Sequence, residues 1–376
     1  MKLGMVGGVL ACIVFTSACS DRNPSLTPTA DAASIAADST PTASVATPRP
    51  TEVPSPFANT QPVAWAQCAP MLTPRSRPTA TQLTDGRVLV IGGSDASEGE
   101  LFSPNTANWS GVPGPTVLRR EHSAQRLRDG RVIVFGGLNA GTRTEIFDPK
   151  TNGWNLGPDL PRRFTPSSES FALRDGRVLA FGGPLLTQGP AQLFVLDAAA
   201  TRWTDLGTVG ESTLGDAVLL SDGTILATNH EQSSVTYLLY DYELQSILAR
   251  GPMPGPVSLA TLQGSKAVAV GNDGSTDLFD VRTRAWAKGP IMPNVRFRPA
   301  LVSTGSAVVA IGSRVPADAA TAAAVTSFDG HSWKVLTPLN SNRTDETVIT
   351  LADGRILVIG GRTGQQSLQT CELSRS

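Results

Sequence analysis

An X-Gly pair followed by a short apolar run recurs along this chain at nearly constant spacing, and this recurrence limits what the chain can fold into. Asp85-Gly86 precedes the run Val88 to Ile91 and the pair Gly92-Gly93. Asp129-Gly130, Asp175-Gly176 and Asp353-Gly354 precede runs of the same kind, each closed by a double glycine. Asp222-Gly223, Gln263-Gly264 and Thr304-Gly305 mark three further copies. There Asn229-His230, Gly271-Asn272 and Gly312-Ser313 stand in place of the two glycines. That makes seven copies at about 45 residues each. Asp-Gly between apolar runs predicts a two-residue type I′ hairpin, which needs positive φ at both central positions. The run itself is apolar at consecutive positions, the pattern of a strand buried on both faces. The double glycine then allows an exit too tight for side chains.

The tryptophans repeat too. Trp109, Trp154, Trp203, Trp286 and Trp333 each follow an aspartate or its substitute by about six residues, on the expected fourth strand of a repeat. In the fourth repeat Ile247 stands where tryptophan is expected, after Asp241. Trp65 lies before the first hairpin, while the last repeat stops at Cys371 to Leu373, short of its tryptophan strand. The two ends complete each other. The expected fold is therefore all-β: a seven-bladed β-propeller of four-stranded antiparallel blades, closed by an N-terminal strand that completes the last blade. Cys68 and Cys371 would then lie on neighbouring strands, and a Cys68–Cys371 disulfide is expected. It would clasp a loop of about 300 residues, for which chain entropy gives on the order of 5 kcal/mol.

The first sixty residues do not fit the repeat. Lys2 precedes an apolar run from Leu3 to Phe15, too short to span a membrane and shaped like a secretory signal. Thr16-Ser17-Ala18-Cys19 resembles a bacterial lipobox, with Cys19 as the lipidated residue. Residues 1–18 are read as the signal peptide. Residues 19–61, rich in Ser, Thr, Ala and Pro, are read as a lipidated, disordered tether. About forty flexible residues reach a root-mean-square distance of roughly 35 Å. Residues 62–376 form the propeller. The reading places the chain at a cell membrane or outer-membrane surface, held by a lipid anchor.

The double glycine, the downstream tryptophan, and the Pro-Arg pairs Pro74-Arg75 and Pro161-Arg162 resemble Kelch repeats. The resemblance covers roughly residues 62–376. It implies a propeller that in most members is a binding scaffold and in a minority an enzyme. Fold alone does not choose between them.

Copper-dependent Kelch oxidases of the galactose oxidase type hold their metal with two tyrosines and two histidines. The three tyrosines here, Tyr237, Tyr240 and Tyr242, share one strand, and Tyr240 aligns with Phe102, Phe147 and Phe279 as a core position. His122, His230 and His331 form no metal-ligand spacing, so no metal or cofactor is expected. Phosphate-loop, zincin and nucleophile-elbow motifs are absent from the sequence, and no catalytic residue is assigned. A metal-independent carbohydrate-acting Kelch enzyme, epimerase- or mutarotase-like, is the alternative. It would draw an acid or base from Glu121, Glu211, Asp345 or Glu346 near the channel mouth. A purely structural envelope protein is a third reading.

Arginines number 26 against 5 lysines, yet the net charge is −1, which excludes a non-specific nucleic-acid binder. The loops leading into the blades carry Arg75, Arg119, Arg162, Arg296 and Arg343. In ring order their blades form a continuous arc. Guanidinium forks at one mouth suit carboxylates, so an acidic protein, peptide or anionic glycan is the expected partner. The same arginines could instead pair internally and lock the ring. A monomer acting as a non-catalytic scaffold is the expectation carried forward.

Overall fold

The computed structural model describes residues 64–375, other than 94–96, 164–169, 184–189, 211–212, 231–234, 254–256, 264 and 314–318. Seven four-stranded antiparallel sheets form a ring, six of them built from four strands consecutive in the chain. In blade 1 the order from the channel outward is Thr79–Gln82, Val88–Ile91, Gly99–Ser103 and Asn108–Val112. The innermost strands of neighbouring blades adjoin one another around the channel. In the seventh sheet, Thr347–Thr350, Ile356–Ile359 and Cys371–Ser374 are joined on the outside by Trp65–Gln67. Trp65 pairs with Ser374 and Gln67 with Glu372. Beside this pairing Cys68 and Cys371 form a disulfide, with Cα atoms 5.4 Å apart.

Burial between blades explains the unbroken apolar runs. Val88 and Val90 pack with Leu357, Ile359 and Leu373 of blade 7. Leu89 and Ile91, on the opposite face of the same strand, pack with Val132, Val134 and Phe147 of blade 2. A period-2 strand wedged between two sheets is apolar at every position. In blades 1, 2, 5 and 6 the third-strand phenylalanine meets the fourth-strand tryptophan, with ring centroids 4.9 Å apart for Phe102–Trp109 and 5.3 Å for Phe147–Trp154. In blade 4 Tyr240 takes this core place and pairs with Ile247.

The hairpins differ from the two-residue type I′ turns expected from Asp-Gly. Gly86 has φ +88°, but Asp85 is not in the left-handed region. Gly86 N–H donates to the Leu83 carbonyl at 3.1 Å and Leu83 N–H to the Arg87 carbonyl at 2.7 Å. That is a three-residue loop closing on a glycine bulge. The aspartate matters for its side chain: Asp85 Oδ1 accepts the Arg87 N–H at 3.0 Å. Asp129, Asp175 and Asp353 do the same for Arg131, Arg177 and Arg355. Local side-chain capping therefore selected aspartate, not φ.

Cys19, and with it the segments 1–18 and 19–61, lies outside the described residues. Among the described residues no helix is long and apolar enough to cross a membrane.

Candidate functional site at the channel mouth

The loops leading into the blades share one end of the ring with the turns after each second strand. Four of the five arginines expected to bind a ligand are sealed inside this end. Arg75, Arg119, Arg296 and Arg343 are at most 1% exposed. Arg75 Nη1 donates to the Gly92 carbonyl at 2.8 Å, and its Nη2 pairs with Glu100 at 2.9 Å. Arg119 reaches Gly136 O and Glu145 in the same way, and Arg343 reaches Gly360 O and Glu372. Each glutamate also caps the loop that brings its arginine. Glu100 accepts the N–H groups of Leu72 and Thr73, Glu145 that of Thr116, and Glu372 those of Asn340 and Ser341. Burial alone pushes Glu145 up, but its bonds from Thr116 and Arg119 hold it below the usual carboxylate range.

The other two arginines lack this glutamate. In blade 6, Thr326 occupies the position, and Arg296 binds its hydroxyl and the carbonyls of Ala310 and Ala324. Burial without a carboxylate pulls the Arg296 guanidinium down to about 10. In blade 3, Phe194 stands there, and Arg162 lies 5.7 Å over its ring. Arg162 remains exposed and pairs with Asp205 at 2.8 Å.

The turn glycines form the seat for these loops. Gly92 has φ +64°, and a Cβ there would lie 2.7 Å from the carbonyl oxygen of Arg119 in the next blade. Gly360, at φ +58°, faces the Arg75 carbonyl in the same relation. The first glycine of the pair meets the lead-in loop of the following blade, and the second (Gly93, Gly137 and Gly361) meets the lead-in loop of its own blade.

Two residues beyond each buried arginine, the chain turns left-handed at non-glycine residues: Arg77 (φ 52°), Glu121 (51°), Arg298 (48°) and Asp345 (56°). Such backbone is costly for residues with a Cβ and collects at functional sites. These side chains make the mouth. Asp345, only 4% exposed, forms ion pairs with Arg77 at 2.7 Å and Arg362 at 2.6 Å. Arg77 also reaches Glu121, at 3.4 Å. Arg298 of blade 6 pairs with Asp216 of blade 4 at 2.7 Å. Below the mouth, the channel wall along blades 3 to 6 is apolar at Phe171, Val218, Leu219, Leu259 and Leu301.

The next residue in two of these loops is titratable, and both members sit on the first turn glycine of the preceding blade. His122 packs on Gly92 and Glu346 on Gly312. His122 Nε2 lies 2.9 Å from Thr79 Oγ1 on the neighbouring inner strand. The residue in the place of Thr79 on the strand beside Glu346 is Ala300, so that hydroxyl is missing. Glu346 Oε2 is closed off from solvent with no hydrogen-bond partner. Burial, reinforced by the Asp345 charge and opposed by Arg343 and its own N–H, pushes the Glu346 carboxyl up to about 7. Burial, with the Arg119 charge, pulls His122 down to about 3. Of the other carboxylates singled out by the sequence, Glu121 and Asp345 stand at the mouth as ion-pair partners. Glu211 lies outside the described residues.

The two groups give stability opposite dependences on pH. Glu346 has a raised folded-state value, so its contribution is complete below about 4.5 and is lost as pH rises through about 7. His122 has a depressed one, so its contribution is complete above about 6.5 and is lost as pH falls towards 3. Glu346→Gln is expected to match the wild type at pH 4.5 and to exceed it at pH 8. Urea midpoints at the two pH values check this, and an equal difference at both would refute it.

Fold and site together define a seven-bladed β-propeller with a charged, ion-paired channel mouth. No family model matches the chain, and no curated protein matches it in sequence. Among solved structures it is similar to a fungal alcohol oxidase of the AA5 family in complex with copper. The identity is 16% and the TM-score 0.62, over 84% of this chain and 76% of that one. It is also similar to a streptogramin B lyase, at 14% identity and TM-score 0.61, over 84% of this chain and 98% of that one. At these identities the likeness is one of fold. Among the described residues no three His, Cys, Asp or Glu side chains group as metal ligands.

Proposed function

We propose that this chain is an exported, membrane-tethered Kelch-like propeller that acts as a non-catalytic binding scaffold. Its ligand is acidic, a protein, peptide or anionic glycan, and binds at the channel mouth. The donors are Arg77 and Arg362 in place of the buried Arg75, Arg119, Arg296 and Arg343. The observation that carries this reading is the pair of guanidiniums around Asp345. Arg77 is 42% and Arg362 38% exposed, and Asp345 grips both from below. Arg362 lies against Asp345 with its Nε 2.6 Å from Oδ2. A guanidinium that is partly open to solvent offers the fork geometry that binds a carboxylate bidentately. Glu121 reaches Arg77 through one long contact, which a stronger anion can displace. The disulfide supports an oxidising compartment and so an exported chain. The lipobox at Cys19 and the tether after it support the anchor.

The test is a binding screen with the full chain in detergent, at pH 6 and two salt concentrations. The array carries acidic peptides and anionic glycans beside neutral controls. Selective, salt-sensitive binding is expected, reduced at least tenfold in Arg77→Ala/Arg362→Ala. Equal binding to neutral controls, or binding unaffected by the double substitution, would overturn the reading.

A further inference from the structure

Glu346 has no structural task that matches its cost. The buried glutamates Glu100, Glu145 and Glu372 each hold an arginine and the backbone of a loop. Glu346 holds neither, and its Oε2 has no partner. Its seat is the one His122 fills in blade 2 with a hydroxyl from Thr79, and the corresponding hydroxyl is absent at Ala300. The carboxyl therefore stands at the inner end of the junction between blades 6 and 7, next in sequence to the aspartate that organises the mouth.

The charges around it are few and can be named. Arg343 lies beneath and is neutralised by Glu372. Asp345 is shared by Arg77 and Arg362. On the blade 6 side, Arg296 is sealed among carbonyls and Arg298 is paired with Asp216. Arg77, Asp345 and Arg362 together carry one net positive charge, the charge that an acidic ligand would meet after displacing Glu121. Ionised Glu346 would cancel it. Protonated Glu346 leaves it in place.

The geometry points to Glu346 as a proton gate on the acidic-ligand site: with its proton in place the mouth holds a carboxylate ligand, and after deprotonation the ligand is released. The inference rests on the binding role proposed above. Binding draws a proton from solvent onto Glu346, and release returns it. The carboxyl changes charge close to neutrality, so the gate works between mildly acidic and mildly alkaline conditions. His122 stays neutral throughout that range.

The experiment uses the full chain in detergent, with hexaglutamate and tri-galacturonate as probes, measured calorimetrically from pH 5.5 to 8.0. In the wild type, affinity is expected to fall at least tenfold across this range. Proton uptake on binding should be measurable at pH 7.5 in two buffers of different ionisation enthalpy. Glu346→Gln, which stays neutral, should bind at all pH values as the wild type does at pH 5.5. Ala300→Thr supplies the missing hydroxyl, stabilises the ionised carboxyl and should move the loss of binding to lower pH. Binding that is independent of pH, or that falls identically in Glu346→Gln, overturns the gate and leaves the binding role standing. Absence of binding by either probe at pH 5.5 overturns the acidic-ligand role itself, and the gate with it. Carbon-13 NMR of the Glu346 carboxyl in the ligand-free chain gives an independent reading: a midpoint near neutrality is expected, and one near 4.5 overturns the gate.

Discussion

Glu372→Ala is expected to lower the free energy of unfolding by about 3–5 kcal/mol, the range for removing one partner of a buried ion pair. Glu372 and Arg343 are sealed from solvent and meet at 2.7 Å. Truncation leaves the guanidinium buried and charged. It also strips acceptors from the N–H groups of Asn340 and Ser341 and from the Asn340 side chain. Three costs therefore fall on one substitution, and all act on the loop into blade 7. Arg343→Ala should be of similar size, because it orphans the carbonyls of Gly360 and Thr370 together with the glutamate. The double variant should lose clearly less than the sum, since neither charge is then left unpaired. Denaturant titration of the four proteins in the cycle measures the coupling. Simple additivity would show that the two groups contribute separately and would sink the account of the arginine as a blade lock.

That module was only half visible in the sequence. The register of Arg75, Arg119 and Arg343 is plain, ten residues before each X-Gly turn. Whether they face water or the core is decided by a residue 25 to 29 positions downstream, on the third strand. The signal was present: Glu100 and Glu145 stand two residues before Phe102 and Phe147, which are core positions. In a strand, i and i+2 share a face, so those glutamates must also point inward and need a cation. Where the position is Phe194, the partner Arg162 stays outside. The ring, its seven blades and the cysteine pairing were legible because they depend on repetition and on the two chain ends. The mouth was less so. The left-handed turns at Arg77, Glu121, Arg298 and Asp345 occur at four different side-chain sequences and carry no glycine marker. The unpartnered Oε2 of Glu346 goes with Ala300 standing where Thr79 stands beside His122, a relation that appears only when neighbouring blades are in register.

Removing the disulfide is expected to cost about 2–5 kcal/mol, toward the upper end because the closed loop is so long. The bond joins residues 303 apart in sequence. Cys68→Ala/Cys371→Ala keeps the Cys68 N–H to Cys371 carbonyl bond at 3.1 Å and the three-residue pairing of Trp65–Gln67 with the last strand. It removes the only covalent hold on that pairing, since the outer strand of blade 7 comes from the opposite end of the chain. A ring of packed blades opens most readily where strand continuity is lowest. The variant should therefore release Trp65, one of the two buried tryptophans, first, seen as a red shift of its emission at denaturant concentrations that leave the environments of the other tryptophans unchanged. Loss of the Trp65 indole bond to the Thr337 carbonyl follows from the same release. Because Glu372 lies on the strand that Gln67 pairs with, combining this variant with Glu372→Ala should give a loss that departs from additivity. A double alanine variant with an unchanged midpoint and no early change at Trp65 would mean that strand pairing alone holds the ring shut.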